Sequence, residues 1–264
     1  MPRIVTLTTD FGSGSGYVAE LKGRLLHART AFTLVDLSHD MPPHDIRAAA
    51  WLVGQGCPAF PPGTLHIVVV DPGVGTDRGL VWARLGDPDC RQEFLCPDTG
   101  LLTLAVRRLP LALARRLPVP AAAAATFHGR DVLAPLAARL LDGLAPESLG
   151  EPVDRLASLP WPEPEEAPAG IRGEVIHVDA FGNLVTNLPA SLLPRLRAAG
   201  RLRVGEHEIT TLVRTYGEAA AGTAVVLVGS QGFIEAAVVE GRADARLQAR
   251  IGTPAEIPKP ARDD

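Results

Sequence analysis

An aspartate followed by a proline and two glycines, in the run Asp71 to Gly75, comes directly after the apolar segment Leu65 to Val70. The β-branched segment is typical of a buried strand, and the residues after it are typical of a tight loop. Ligands of open α/β sheets bind outside the carboxyl ends of strands, so Asp71 stands where chemistry usually occurs. Arg78 follows seven residues later. Its planar cation could return over the loop to the carboxylate or to a substrate.

Other charged and polar side chains also stand where a predicted element ends or begins. Asp10 follows the first predicted strand, and His128 precedes a predicted helix. In the second half of the chain, polar groups, glycines and an aromatic ring occur together in His177 to Asn183 and in Gly229 to Phe233. A single aspartate at a strand end is more often a turn or capping residue than a catalyst. Several acids, a histidine and an arginine at such junctions together favour a functional site.

These side chains need a scaffold, and the pattern of the first part of the chain predicts an α/β domain with a mostly parallel central sheet. Strands are predicted at Arg3 to Thr8, Phe32 to Leu37, Leu65 to Val70, Leu80 to Leu85 and Glu93 to Cys96. Helices are predicted at Tyr17 to His27, Ile46 to Gly54 (with Asp45 as its cap), Leu101 to Arg108 and Val132 to Leu144. The predicted catalytic α/β domain spans residues 1–155.

A second, smaller domain is predicted after a Pro- and Glu-rich linker at residues 156–170. Residues 171–252 contain short β-like segments separated by glycine turns, which predict a β-barrel. Residues 253–264, rich in proline and charge, are predicted to form a loose tail.

Composition excludes several classes of protein. A formal net charge of −4 offers no basic surface for nucleic acid or for an anionic membrane. No apolar stretch is long enough to span a membrane, and the N-terminus opens on a strand pattern without a signal-peptide layout. The three cysteines lack metal-type spacing. We therefore expect a reduced, cytoplasmic protein.

Six short motifs occur in a fixed order along the chain. They are Thr9-Asp10-Phe11-Gly12, Asp71 to Thr76 with Arg78, Pro97 to Leu102, Phe127 to Asp131, Asp179-x-Phe181-Gly182-Asn183, and Ser230-x-Gly232-Phe233. In this order they resemble those of the S-adenosyl-L-methionine hydroxide adenosyltransferases, the hydrolase relatives of the fluorinase and chlorinase enzymes. The resemblance covers nearly the whole chain and both predicted domains.

The resemblance implies hydrolysis of S-adenosyl-L-methionine to adenosine and L-methionine, by attack of water or hydroxide on the ribose C5′. The sulfonium already activates the leaving group, so the protein has to align the nucleophile and limit competing solvent, and no metal or other cofactor is expected. By the family pattern, Asp71, Arg78 and His128 form the triad that positions and activates the water. Either a carboxylate or a neutral imidazole can accept the proton. The sequence leaves open which of Asp71 and His128 is the base.

The resemblance also implies which side chains hold the nucleoside. Asp10 matches the acid that binds the ribose hydroxyls, and His44 lies where the halogenases carry a tryptophan over the ribose. Asn183 matches the side chain that recognises the adenine edge. Phe181 and Tyr216 match the aromatic residues that flank the adenine ring.

For the methionine part, the matching residues are Asp179 and Ser230, which hold the amino and carboxylate groups. Gln231 replaces an arginine of the fluorinase pattern. In this family the site forms between the first domain of one subunit and the barrel domain of its neighbour, so the resemblance implies a homotrimer.

Three alternatives to the hydrolase are open. In the fluorinase pattern a tyrosine and a serine occupy the positions of His128 and Gly129, and a long insertion extends the first domain, so this chain favours water over halide. A non-catalytic adenosine or S-adenosylmethionine sensor would not need an intact Asp-Arg-His set. A metal-dependent hydrolase could use Asp10, Asp71 and His128, which are suitable ligand types but lack family support.

Overall fold

The computed structural model describes residues 2–260. The chain forms two compact units, of which the first ends at Leu159 and the second begins at Pro160. Each unit is built around its own sheet and its own apolar core.

The first unit is an α/β fold. In chain order its elements are β1 (Arg3–Thr9), α1 (Gly16–Leu25), β2 (Phe32–Ser38), α2 (Ile46–Gly56), β3 (Thr64–Val69), β4 (Leu80–Leu85), β5 (Gln92–Pro97), α3 (Thr103–Arg108), β6 (Leu111–Leu117) and α4 (Ala134–Leu141). Among the described residues the strands form one sheet in the order β2-β1-β3-β5-β4-β6. β4 runs antiparallel to both of its neighbours, while β2, β1, β3 and β5 pair in parallel. The prediction of an α/β domain with a mostly parallel sheet is confirmed.

Helices cover both faces of this sheet, and they bury the central strand β3 on both sides. Every residue of β3 is buried, because successive side chains point to opposite, covered faces. Leu65 and Ile67 belong to the core that includes Leu21 and Leu25 of α1. Val68 belongs to the core on the other side, with α2 and α3. The predicted cap of α2 is confirmed, since the Ala48 amide donates to Asp45 Oδ1 at 2.9 Å.

The second unit is a nearly closed antiparallel barrel, as predicted. Its elements are β7 (Glu165–Ala167), β8 (Gly170–Val178), β9 (Leu184–Pro189), α5 (Leu193–Ala199), β10 (Leu202–Val204), β11 (His207–Ile209), β12 (Ala224–Val228), β13 (Phe233–Val238), α6 (Ala243–Arg246) and β14 (Pro254–Pro258). The main strands follow the order β11-β10-β14-β8-β9-β13-β12, and β7 pairs with β8. The two ends of the sheet approach each other just after β11, where Leu212 forms a bridge with Val226.

The prediction of a loose tail from residue 253 is wrong for β14. This strand lies between β8 and β10 in the sheet, and Ala255 and Ile257 are buried while Glu256 between them is not. Pro254 and Pro258 stand at the two ends of the strand, where a missing N–H is tolerated, so the prolines are compatible with a strand in this segment. Residues 261–264 lie outside the described part of the chain. The segment predicted as a linker also contains β7.

Candidate active site

Asp10 and Asp71 lie at the carboxyl ends of β1 and β3, where the order in which strands are added to the sheet of the first unit reverses. β1 lies between β2 on one side and β3 on the other, and both pairings are parallel. The chain therefore leaves the carboxyl ends of β1 and β3 toward opposite edges, which opens a crevice where open α/β sheets bind ligands. Asp10 directly follows β1, and Asp71 lies two residues after the end of β3.

Asp71 forms a tight ion pair with Arg78. Arg78 Nε donates to both carboxylate oxygens of Asp71, at 2.9 and 3.0 Å, and Nη2 donates to Oδ2. The side chains are 7% and 9% exposed, so water screens the pair only weakly. This forked geometry fixes the plane of the guanidinium as well as its position.

The same guanidinium also reaches His128. Arg78 Nη2 lies 2.7 Å from His128 Nδ1, and the imidazole is 5% exposed. Because a guanidinium carries only donors, Nδ1 must be the acceptor, and the proton of the neutral ring is on Nε2. The structure therefore brings together the three residues predicted as a triad, with Arg78 in the middle.

The surroundings of His128 keep its imidazole neutral. Burial lowers the pKa of His128, and the positive charge of Arg78 lowers it further, against smaller opposing effects of Asp71 and Asp131. Protonation would place a second cation against the guanidinium and would remove the acceptor at Nδ1. The arrangement is thus maintained only above the pKa of this histidine.

We expect the acid limb of the pH–rate profile to reflect this group. Because the pKa of His128 is held below its ordinary value of 6.5, the rate should fall as the pH drops through that lower pKa, and the midpoint of the acid limb should lie below pH 6.5. The measurement is kcat/KM against pH for the parent and for His128→Asn. An acid limb above pH 6.5, or the same limb in the variant, would contradict the assignment.

Gly75 allows the loop that carries Asp71 and Arg78 to approach the segment before His128. Its φ is +79°, and a Cβ at this position would lie 2.6 Å from the carbonyl oxygen of Ala125. Only glycine combines this backbone conformation with so close an approach.

A cavity of about 340 Å³ opens beside these residues. Asp10 and His44, the two residues of this unit that are predicted to bind substrate, line it together with Asp71 and His128. Asp10 Oδ2 accepts the backbone N–H of His44 at 2.9 Å, and His44 has a left-handed backbone with φ of 65°. Sequence reasoning did not include the three aromatic rings of this cavity, which meet edge to face: Phe11, Tyr17 and Phe127.

The second unit carries a larger cavity, of about 680 Å³. All six residues of this unit that were predicted to bind substrate line it: Asp179, Phe181, Asn183, Tyr216, Ser230 and Gln231. The volume is in the range of small-molecule sites. The fold of this unit thus gathers these six residues around one cavity.

Asp179 organises the turn that carries Phe181 and Asn183. Its Oδ1 accepts the backbone N–H groups of Phe181 and Asn183 at 2.9 and 2.8 Å. Its Oδ2 accepts Nδ2 of Asn183 at 2.9 Å. Asn183 is left with one N–H and its carbonyl oxygen, a donor and acceptor pair that matches an adenine edge.

Glu235 lines the same cavity and was missed by the sequence analysis. The Tyr216 hydroxyl donates to Glu235 Oε1. Burial raises the pKa of Glu235, with the hydrogen bond from Tyr216 opposing that effect. The signal that could have found it is a single carboxylate in the otherwise apolar strand Phe233–Val238.

Within residues 2–260, no group of three His, Cys, Asp or Glu side chains is arranged to hold a metal ion. No helix in that range combines the length and the apolar character that a membrane crossing needs.

Comparison with known proteins gives the family. Residues 5–150 match the SAM hydroxide adenosyltransferase N-terminal domain, and residues 173–256 match the C-terminal domain. This chain belongs to the SAM hydroxide adenosyltransferase family. The predicted resemblance is therefore confirmed.

Relatives within and near the SAM hydroxide adenosyltransferase family are similar over most of their length. A protein of Thermus thermophilus named (R)-S-adenosyl-L-methionine hydrolase is 40% identical, over 97% of this chain and 99% of that one. A fluorinase of Actinoplanes sp. is 26% identical, over 88% of this chain and 89% of that one. The crystal structure of an uncharacterized conserved protein from Thermotoga maritima has a TM-score of 0.88 at 33% identity, covering 97% of this chain and all of that chain.

Proposed function

We propose that this protein hydrolyses S-adenosyl-L-methionine to adenosine and L-methionine, with water or hydroxide as the nucleophile. The observation that carries the proposal is the guanidinium of Arg78, which bonds the Asp71 carboxylate and the His128 imidazole at the crevice of the first unit. The name of the Thermus thermophilus relative supports the same reaction.

The reaction forms a C5′–O bond and breaks the C5′–S bond, and the electron pair of the latter goes to sulfur. The sulfonium loses its charge as methionine leaves as a neutral thioether, so the leaving group needs no acid. The protein has to hold the nucleophile in line behind C5′. Asp71 and His128 already bond a cationic guanidinium, which is a poor environment for a metal ion, and we propose a reaction without metal or other cofactor.

We assign the roles of the triad from its hydrogen bonds. His128 has its Nδ1 occupied and its Nε2 protonated, so it is a donor to the oxygen of the nucleophile. Within residues 2–260, Asp71 Oδ1 accepts only Arg78 Nε, and it retains an acceptor site for a proton of the water. Arg78 Nη1 is buried and has no partner among the described residues, and its charge favours hydroxide over water. Asp71 is therefore the proposed base, and His128 the proposed positioning donor.

The remaining predicted residues are proposed to hold the substrate. In the first unit, Asp10 would accept the ribose hydroxyls, with His44 beside them. In the second unit, Asn183 would pair with the adenine edge, and the methionine part would contact Asp179, Ser230 and Gln231.

The proposed substrate is the sulfonium epimer with R configuration. The similar hydrolase carries that configuration in its name. Chiral chromatography of a mixed-epimer sample during turnover tests the assignment. Consumption of the R epimer with the S epimer left intact is expected, and the reverse order would refute it.

Asn183→Ala is expected to weaken adenosine binding by about 5- to 150-fold, because a buried adenine edge would lose its hydrogen-bonding partner. Loss of the Asn183 side chain also removes one bond to Asp179, so circular dichroism should accompany the titration. Isothermal titration calorimetry with adenosine measures the effect. Affinity equal to that of the parent would argue against this contact.

We further propose a homotrimer in which each site combines the cavity of the first unit with the larger cavity of a neighbouring subunit. The support is the family pattern, together with the strong exposure of Phe181, a proposed adenine contact that is 76% exposed within one chain. Sedimentation equilibrium should give the mass of a trimer, and a fully active monomer would contradict this proposal.

We also propose a cytoplasmic location. The free state of Cys57, Cys90 and Cys96 supports it.

The test of the function is product analysis with purified protein. Adenosine and methionine should form in equal amounts in the presence of a chelator, and added chloride or fluoride should not yield a halogenated nucleoside. Loss of activity that a divalent cation restores would favour the metal-dependent alternative. Binding of adenosine without any turnover of either epimer would favour the sensor.

A further inference from the structure

Glu235 is a buried carboxylate on the wall of the larger cavity, and no role has been given to it above. We propose that Glu235 is a positioning residue that fixes the ring of Tyr216 as a rigid wall of the nucleoside cavity and thereby sets the affinity for adenosine. This inference rests on the proposed function, because it assumes that the cavity takes the nucleoside.

The strand β13 places Glu235 on the face of the sheet opposite the barrel core, since Ile234 and Ala236 on either side of it belong to that core. In the sheet it is paired with Val185 of β9 and with Leu227 of β12, and it is 6% exposed. A carboxylate among apolar neighbours is costly unless it receives a hydrogen bond. The Tyr216 hydroxyl supplies one at Oε1. The hydrogen bond between Tyr216 and Glu235 is therefore strongly favoured over separation of the two side chains.

Tyr216 itself lies in a segment with little packing of its own. It begins a short 3₁₀ turn that ends at Glu218, and residues 214–218 are all exposed. The ring lines the cavity, and its hydroxyl is bonded to the strand beyond. Val213 and Ala219 pack against the sheet on either side of this turn, so the bond to Glu235 fixes the ring of Tyr216 rather than the turn as a whole.

Gly229 leaves the space that Glu235 needs. A Cβ at position 229 would lie 2.2 Å from Glu235 Oε2. Gly229 is not among the glycines with positive φ, so the requirement for glycine comes from this approach. The carboxylate thus lies between the ring of Tyr216 and the start of the loop that carries Ser230.

The experiment is a double-mutant cycle read by adenosine affinity in calorimetry. Tyr216→Phe and Glu235→Leu are each expected to weaken binding by about 5- to 30-fold, because the first leaves the buried Glu235 carboxylate without its donor and the second releases the ring of Tyr216. The double variant should be no weaker than the worse single variant. Glu235→Gln, which keeps an acceptor of the same size, should remain within about threefold of the parent. Gly229→Ala should resemble Glu235→Leu.

Glu218→Gln is the matched control, since Glu218 lies in the same turn but accepts the backbone N–H of Arg214 instead. It should bind adenosine like the parent. For a positioning role, Glu235→Leu should raise KM with little change in kcat. Additive losses in the double variant, or parental affinity of both single variants, would overturn the inference.

Failure of the inference and failure of the proposed function give different results. Adenosine binding is measured without turnover, so a coupled pair in a protein that hydrolyses neither epimer would retain the inference and refute the hydrolase. Uncoupled effects of the two substitutions in a protein that hydrolyses the substrate would refute the inference and retain the hydrolase. A thermal melt of each variant identifies any that fails to fold. If Glu235→Leu does not fold, Gly229→Ala displaces the same carboxylate and tests the inference in its place.

Discussion

Replacement of His128 by alanine is expected to lower kcat by about 10²- to 10³-fold, as is typical when one preorganised hydrogen-bond donor is removed. The reason is the loss of the Nε2–H donor, which the bond from Arg78 to Nδ1 holds in one tautomer and one orientation. Adenosine should bind with nearly the parental affinity, because the residues proposed to contact adenine lie in the other unit. Single-turnover hydrolysis measures the chemical step, and calorimetry measures binding.

Two variants make the result specific. His128→Asn keeps an acceptor for Arg78 but lacks a donor at the position of Nε2, so it should be almost as slow as His128→Ala. His27→Ala changes an exposed histidine of the first unit and should leave kcat unchanged. Parental turnover by both His128 variants would refute the role assigned to this side chain.

Replacement of Arg78 by alanine is expected to reduce both stability and activity. The change leaves the buried Asp71 carboxylate without its cation, and breaking a buried pair in this way lowers the free energy of unfolding by about 3–5 kcal/mol. Hydrolysis should fall below detection, because the link between Asp71 and His128 is lost. Urea unfolding followed by circular dichroism gives the first quantity, and product analysis gives the second.

The double variant Asp71→Leu with Arg78→Met separates the two effects. Removing both charges should recover most of the lost stability, since replacing a buried ion pair with apolar side chains is often close to neutral. It should not recover activity. Arg78→Lys should fold well but remain slow, because an ammonium cannot reproduce the planar fork. Unfolding of Arg78→Ala within about 1 kcal/mol of the parent would contradict the buried pair.

The elements that sequence predicted best are those with unambiguous periodicity. β4 has the predicted limits, Leu80 to Leu85, because its apolar run ends at glycines on both sides. β6 was missed because Arg115 and Arg116 interrupt its apolar pattern. Pairing with β4 along its whole length makes a strand of that segment. The helix predicted from Val132 begins as a π-helical turn, Gly129–Leu133, before α4.

For the candidate site, the motifs predicted which residues take part but not how they are connected. The sequence left Asp71 and His128 as equal candidates for the base. The tautomer that distinguishes them follows from a contact between Arg78 and His128, residues that are 50 positions apart. Glu235 was overlooked for a related reason, because its partner Tyr216 lies 19 positions away in a turn without regular periodicity. Interactions of this kind depend on tertiary structure.

The most direct test of the account is the origin of the oxygen in the product. Hydrolysis of S-adenosylmethionine in water enriched with heavy oxygen should place the label on the 5′-hydroxyl of adenosine, and methionine should remain unlabelled. Mass spectrometry of both products measures it. Unlabelled adenosine, or label in methionine, would contradict attack of water on C5′ and with it the role of the Asp71-Arg78-His128 set.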